Sequence, residues 1–289
     1  MTNINFPDNP SDGDRVGLQV YDATRGVWEW DALPGTTTPE DVGGYSLGTS
    51  PKVLLRSGEG IAYDMEYLVV GGGGSGRSQH AGGFRYAGDG GEVNNAVTSF
   101  AGFSFDNGPT SYSVEIGAGG AGWTSVNPGN PSTFASISSS GGDAYVIGGA
   151  GVDGPYVESF SSFGKPGELG YFGGSGGAAA YSSNKTPQIG GLGGGGRGAR
   201  RSDSPSGFST WSTNSEEGYP NTGGGGGGAN DQYNASGSGG SGVVMFKALS
   251  DVEVSFSAGI TELNGGNGQV SGNYKIYVIT AGTGTVTIS

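Results

Sequence analysis

Residues 67–78 read YLVVGGGGSGRS, and the fold turns on how this stretch is taken. Gly71, Gly76, Arg77 and Ser78 lie one Lys-to-Arg change from a phosphate-binding loop, and Gly71, Gly73 and Gly76 have the spacing of a dinucleotide-binding turn. Both motifs need a helix N-terminus directly behind the loop, where backbone N–H groups meet the phosphates. The chain continues instead as SQHAGGFRYAGDGG, which is full of helix breakers. Arg77 also replaces the lysine that must reach the terminal phosphates, and no apolar strand ends in a metal-binding aspartate. The remaining reading is structural: Tyr67–Val70 is a strand feeding a glycine run.

The rest of the chain supports that reading. Glycine supplies 65 of 289 residues, about three times the usual share. With glycine this dense, both nucleotide spacings arise at almost no cost. Hydrophobic residues make up 33% and charged residues 13%, too few apolar side chains for an ordinary core of this length. No strict Gly-X-Y period exists, which excludes a collagen triple helix. Something other than side-chain burial must order the glycines.

Four regions separate by composition. Residues 1–33 are expected to form an N-terminal β-hairpin module, with Val16, Leu18 and Val20 alternating, a turn at DATRG, then Val27, Trp28 and Trp30. Residues 34–51 read as a linker. Residues 52–248 alternate strand-like pieces (KVLLRS, MEYLVV, TSYSVEIGAG, DAYVIGG, SGVVMFKA) with glycine runs, and no stretch sustains helical spacing. Residues 249–289 read as a C-terminal β module ending in a hairpin, NYKIYVIT-AGTG-TVTIS, with Ile276, Val278, Val286 and Ile288 available for burial. A faint echo links KVLLRSGEGIAYD, from Lys52, to KIYVITAGTGTVTI, from Lys275.

Polyglycine can adopt a left-handed helix of three residues per turn with no internal hydrogen bonds. Its N–H and C=O groups then need partners outside the run. Neighbouring runs can supply them, provided no Cβ blocks the approach. The expected fold is therefore mainly β, with a polyglycine-II-like sandwich and little or no α-helix. The competing account, flexible Gly/Ser linkers between strands, predicts glycine amides without protection.

EYLVVGGGGSG followed by HAGGFRYAGDGG, then YSVEIGAGGAG with NPGNPSTF, and finally GGSGVVMFKA resemble the glycine-rich domain of bacteriophage tail-fibre and other virion proteins, particularly of marine and cyanobacterial phages. FPDNPSDGDRVGLQVYDATRGVWEW is similar to the short module that opens many such proteins. The resemblance covers residues 3–30 and 61–248. It implies β-strands flanking a glycine-rich sandwich, similar to tip adhesins whose polyglycine helices present variable loops. His80 with SGRSQ departs from relatives that continue in glycine.

Candidate chemistry is sparse. The net charge of −13 argues against nucleic acid or anionic lipid as main partner. The longest apolar stretches are a handful of residues, so no membrane insertion is expected, and MTNINFPDNP carries no signal-peptide core. Without cysteine and with His80 as the single histidine, thiolate and imidazole-cluster metal sites are excluded. A triad built on His80 with Ser75, Ser78 and Asp89 is weaker than a surface or packing role. Asp8, Asp12 and Asp14 lack the EF-hand spacing and read as a turn. Glu216–Glu217 and Asp153/Glu158 are the paired acids a glycosidase would need, but exposed loop carboxylates are the simpler account. No catalytic, cofactor or metal residue is assigned, and the chain is read as a non-enzyme.

The loops between glycine runs are more informative. One places Tyr156, Phe160, Phe163, Tyr171 and Phe172 together, and another Phe208, Trp211 and Tyr219. Aromatics beside Ser, Asn and Asp suit recognition of sugars or protein surfaces; packing over a lattice without side chains is the alternative for each one. With the resemblance, the sequence implies a virion structural protein on the tail or capsid exterior, foremost a tail fibre or tip adhesin. Those loops would bind a host surface glycan or outer-membrane protein, and Val16, Trp28 and Trp30 would attach to other virion proteins. A homo-oligomer is expected, trimers being common among fibres. A capsid decoration, head fibre or tail-assembly component without receptor binding is the alternative.

Overall fold

The computed structural model describes residues 15–16, 19–22, 27–30, 53–54, 62–76, 86–87, 90–99, 109–122, 127–144, 146–147, 150–180, 187–202, 210–229 and 236–289. Met1–Gly48 and Thr49–Ser289 form two compact units. In the first, β1 (Arg15–Val16), β2 (Gln19–Asp22) and β3 (Val27–Trp30) make an antiparallel sheet in that order. The β2–β3 pair matches the expected hairpin, with Tyr21 opposite Trp28 and Gln19 opposite Trp30. The alternating stretch before it breaks into two strands, Val16 opposite Gln19, instead of continuing as one. Asp8, Asp12, Asp14 and the linker 34–51 lie outside the described residues.

The second unit is a β-sandwich with a glycine body. Its strands in the first half are β4 (Val53–Leu54), β5 (Ala62–Val70), β6 (Tyr86–Ala87), β7 (Val93–Ser99), β8 (Thr110–Glu115), β9 (Ser132–Phe134), β10 (Ile137–Ser139) and β11 (Val146–Ile147). The second half adds β12 (Arg200–Ser202), β13 (Thr210–Thr213), β14 (Val243–Leu249), β15 (Val254–Phe256), β16 (Thr261–Glu262), β17 (Gln269–Ser271), β18 (Tyr274–Ala281) and β19 (Thr283–Ile288). One antiparallel sheet runs β16-β18-β14-β5-β4, with β17 also on β18 and β7 also on β5; the other runs β10-β9-β8-β19-β15. The described residues contain no α-helix, only one 3-10 turn at Glu158–Phe160.

Alternation along the strands sorts the side chains into two cores. Tyr67 and Val69 of β5, Val244 and Phe246 of β14, and Tyr277 and Ile279 of β18 face the second sheet, meeting Val114, Phe134, Val286 and Ile288. Phe246 is the centre of a stack, 5.4 Å from Phe134 and 5.0 Å from Tyr277 between ring centroids. The opposite face of the same three strands carries Leu68, Val70, Val243, Met245, Ile276 and Val278, covered by Phe160, Phe163 and Phe172. A sequence poor in apolar residues thus concentrates them in a few strands buried on both faces.

The C-terminal segment is not a separate hairpin. β18 lies inside the first sheet, β19 inside the second, and the chain turns the corner at Gly282 with φ +106°. Residues 249–289 therefore complete both sheets. β4 and β5, by contrast, pair with each other, Leu54 opposite Ala62, so the echo between Lys52 and Lys275 has no structural counterpart.

Beyond the sheets the glycine runs pack side by side with bonds repeating every three residues. Gly72 and Ser75 donate to Asn130 and Asn127; Gly73 and Gly76 donate to Gly240 and Gly237. Gly225 and Gly228 likewise donate to Gly174 and Gly177. A three-residue helix produces this repeat, because every third N–H points at the same neighbour. Run 71–76 bonds six others: 90–92, 116–122, 127–131, 140–143, 222–229 and 236–242. That is hexagonal packing, and at its glycines it leaves no room for a side chain: a Cβ on Gly73 would collide with the carbonyl of Gly224. The expected polyglycine lattice is what orders the glycines, and YLVVGGGG is where strand becomes lattice.

Candidate functional site

The lattice has two ends. Runs leave the sheets at Gly71 after β5 and at Ile116 after β8, and run 236–242 returns to β14. At the far end Gly76 bonds Gly237, Gly122 donates to the Ser238 hydroxyl at 3.0 Å, and Asn127 donates to the Ser75 hydroxyl at 3.1 Å. Ala180 donates to Ala199 and Ala199 to Gly228. Residues 77–85, 123–126, 181–186, 203–209 and 230–235 lie outside the described residues, Arg77, Ser78, His80 and Phe208 among them.

The buried side chains inside the runs are small, Ser75, Ser175 and Ala178 among them. Ala179, Ala199 and Ala229 form a small buried cluster at the far end. Beside it Arg197 pairs with Glu216 at 3.0 Å, both side chains half-exposed. The antiparallel runs 194–199 and 214–219 are joined by Glu216 N–H to Arg197 and Tyr219 N–H to Gly194. They then continue as the ladder β12–β13, with Arg200 opposite Thr213 and Arg201 opposite Trp211. The backbone of Trp211 is placed by this register.

The aromatic segment 152–172 sits at the near end, against the first sheet. Phe160, Phe163 and Phe172 are core residues at 0%, 8% and 0% exposure, which corrects their reading as receptor contacts. The sheet face beneath them is apolar, and these rings cover it. Tyr156 is exposed and stands 5.1 Å from the half-buried Tyr171 across an isolated bridge. Tyr219 is exposed too, but its amide bonds Gly194 at the near end of its run. For Val16, Trp28 and Trp30 the strands are defined by their backbones alone.

Acidic side chains serve as staples. Glu168 accepts the N–H groups of Gly193 and Gly194 at 3.1 and 3.0 Å and pairs with Lys165 at 2.7 Å, while Asp153 accepts Leu192 N–H at 2.7 Å. Asp153 and Glu216, offered as halves of glycosidase pairs, are engaged in these local contacts. Glu92 accepts Ser140 N–H at 2.8 Å, and this bond holds its carboxyl below the ordinary value. Burial raises Tyr67, Tyr112 and Tyr277, the last also through the charge of Glu262. Among the described residues no group of His, Asp and Glu is disposed to hold a metal ion, and no helix is long and apolar enough to cross a membrane.

Sequence reasoning missed the ion pair of Glu66 and Lys247, 3.0 Å apart, with Lys247 5.5 Å from the Phe160 ring centroid. The signal was present: MEYLVV and VVMFKA each carry one charge in an apolar strand. A family model described as a glycine-rich domain matches residues 57–249, about two-thirds of the chain. No curated protein and no solved structure matches it.

Proposed function

The chain belongs to the glycine-rich domain family, and from that premise we propose that it is a virion structural protein, a phage tail fibre or tip adhesin that binds a host cell-surface receptor. The observation that carries this reading is that the runs ending at Gly76, Gly122, Ala180 and Ala229 reach one end of a lattice packed almost wholly through its backbone. Glycine runs offer no chemistry for recognition, so a ligand must be met by the connecting segments. A body held by backbone bonds tolerates changes in those segments, because the bonds do not depend on loop sequence.

In this reading the protein is not an enzyme. It sits on the exterior of the particle, attached to other virion proteins through the unit containing Val16, Trp28 and Trp30. Its partner is a glycan or outer-membrane protein of the host surface, and several weak contacts in a homo-oligomer add up to firm attachment. The test is to exchange segments 181–186, 203–209 and 230–235 for Gly/Ser sequence in the particle and measure adsorption. Loss of adsorption with lattice amides still protected supports the reading. Unchanged adsorption overturns it and favours a capsid decoration or assembly component.

A further inference from the structure

Between β16 and β17 the chain reads LNGGNG, residues 263–268, and holds two Asn-Gly pairs. Around the first pair the successive amides of Asn264, Gly265 and Gly266 are all engaged. Glu262, buried at 8% exposure, accepts the N–H groups of Asn264 and Gly266 on one carboxylate oxygen, each at 2.8 Å. Its other oxygen accepts the Val278 N–H at 3.2 Å, and Gly265 donates to the Glu262 carbonyl at 3.2 Å. The pair Asp153–Gly154 is held likewise: Gly154 donates to Leu192 at 2.8 Å while Asp153 accepts the Leu192 amide.

The second Asn-Gly pair is open. Asn267 is exposed, and its side-chain amide makes one long contact with the Asn264 carbonyl, at 3.3 Å. The Gly268 N–H meets no acceptor among the described residues. Packing nevertheless requires glycine there: φ is +64°, and a Cβ would stand 2.9 Å from the ring of the core residue Tyr277. Asn267 is thus followed by a residue without a side chain, whose nitrogen is free to turn on the neighbouring carboxamide.

We propose that Asn267 is a site of spontaneous modification, converted in the folded protein to aspartate and isoaspartate. The Gly268 nitrogen gives up its proton and attacks Cγ of Asn267. The bond from Cγ to Nδ2 breaks, and Nδ2 leaves as ammonia with that proton. Water then opens the resulting succinimide ring. Cleavage between the nitrogen and Cγ returns an ordinary peptide bond and an aspartate side chain. Cleavage between the nitrogen and the main-chain carbonyl carbon leaves the chain running through Cβ and Cγ.

Either product alters the edge of the first sheet. The Nδ2 donor to Asn264 is lost, and the isoaspartyl main chain gains a methylene just ahead of β17. β17 is three exposed residues that pair, among the described residues, with β18 alone. It loosens, and the edge of β18 around Lys275 is uncovered.

The test is incubation of the full chain in mildly alkaline buffer, native and in concentrated urea. Peptide mapping follows residues 248–275, the tryptic fragment that holds both pairs. Fragment ions place the mass gain of about one dalton on its residue, and isoaspartyl methyltransferase labels the rearranged product. In the native chain Asn267 should convert at least ~10-fold faster than Asn264, because the bonds around Asn264 must open first. In urea the two should convert at similar rates. Converted protein should lose amide protection in β17 and keep it at Gly225 and Gly228, while Asn267→Ser should lose neither on incubation. Equal native rates, faster conversion at Asn264, or a native chain unmodified at Asn267 while the urea sample converts overturns the proposal. Conversion with β17 still fully protected overturns the loosening and leaves the modification site standing.

Discussion

Gly226 donates its amide to the carbonyl of Gly74 at 2.9 Å, and this bond joins two hubs of the lattice. Run 71–76 is surrounded by six others, and run 222–229 by another six: 71–76, 90–92, 173–180, 194–199, 214–219 and 236–242. A Cβ on Gly226 would meet the carbonyl of Gly237. Gly226→Ala is therefore expected to cost at least ~1–3 kcal/mol in overpacking. Gly167 has open space around it and φ +87°, so Gly167→Ala should cost only the left-handed backbone strain, roughly 1–2 kcal/mol. Urea midpoints separate the two, and a Gly226 variant no worse than the Gly167 variant would remove close packing as the reason for glycine.

Glu66 and Lys247 pair under Phe160, with side-chain exposures of 5% and 12%. Removing one partner strands a charge. Glu66→Gln or Lys247→Met alone should cost ~3–5 kcal/mol, whereas Glu66→Leu with Lys247→Met should fall near wild type. Additive losses in the double variant would mean that the two residues act independently and that a stranded charge is not the cause.

Phe160 and Phe172 are fully buried while Tyr156 is about half exposed. Phe160→Ala and Phe172→Ala should each cost ~3–5 kcal/mol. Tyr156→Ala should change stability by about 0.5 kcal/mol or a little more, because its exposed ring rests against Tyr171 and the edge of Gly170. Calorimetry with adsorption on the same variants tells core from contact: a phenylalanine variant of full stability would restore it as a surface residue.

How far the sequence reveals this architecture depends on what encodes each part. The strand at Tyr67–Val70 and the glycine run behind it are written in residue types, and so is the exclusion of a nucleotide site. The neighbours of each run are not. A glycine carries no side chain to specify a partner, so the pairing of Gly73 with Gly240 follows from the strand pair before it, Val70 opposite Val243. Phe160, Phe163 and Phe172 have no periodicity because they cap a sheet from an irregular segment with a single 3-10 turn. The corner at Gly282 is equally hidden, since AGTG between two β sequences has the composition of a hairpin turn. For the far end, composition marks the segment around Trp211. Only the register shows that it continues the lattice as a ladder.

Glu92 reports on the junction of strand and lattice through pH. Its carboxyl is held below the ordinary glutamate value, first by the backbone N–H of Ser140. The unfolded chain binds the proton more tightly, so stability is gained as pH rises through the acid range. The contribution is fully present above pH ~4.5 and fades as pH falls through the lower folded value. Glu92→Gln should flatten the dependence of the urea midpoint on pH between about 3 and 5. A variant whose slope equals wild type would place the acid sensitivity elsewhere.

The family match ends at residue 249, but the fold does not. β18 and β19 bring Tyr277, Ile279, Val286 and Ile288 to the core between the sheets, and Ile276 and Val278 to the face under Phe160. At ~1.5–3 kcal/mol for each buried apolar side chain, losing these six removes ~9–18 kcal/mol, comparable to the ~5–15 kcal/mol that holds a domain together. Truncation after Leu249 would also uncover the edges of β14 and β8, leaving unpaired N–H and C=O groups open to other chains. Residues 1–249 should therefore fail to fold cooperatively and should aggregate, whatever the state of the glycine runs. Supplying 250–289 as a separate chain during refolding should recover soluble material with the strand register of Met245 opposite Val278. A soluble, cooperatively melting 1–249 fragment would show instead that the lattice sustains the fold and that the C-terminal strands only cover it.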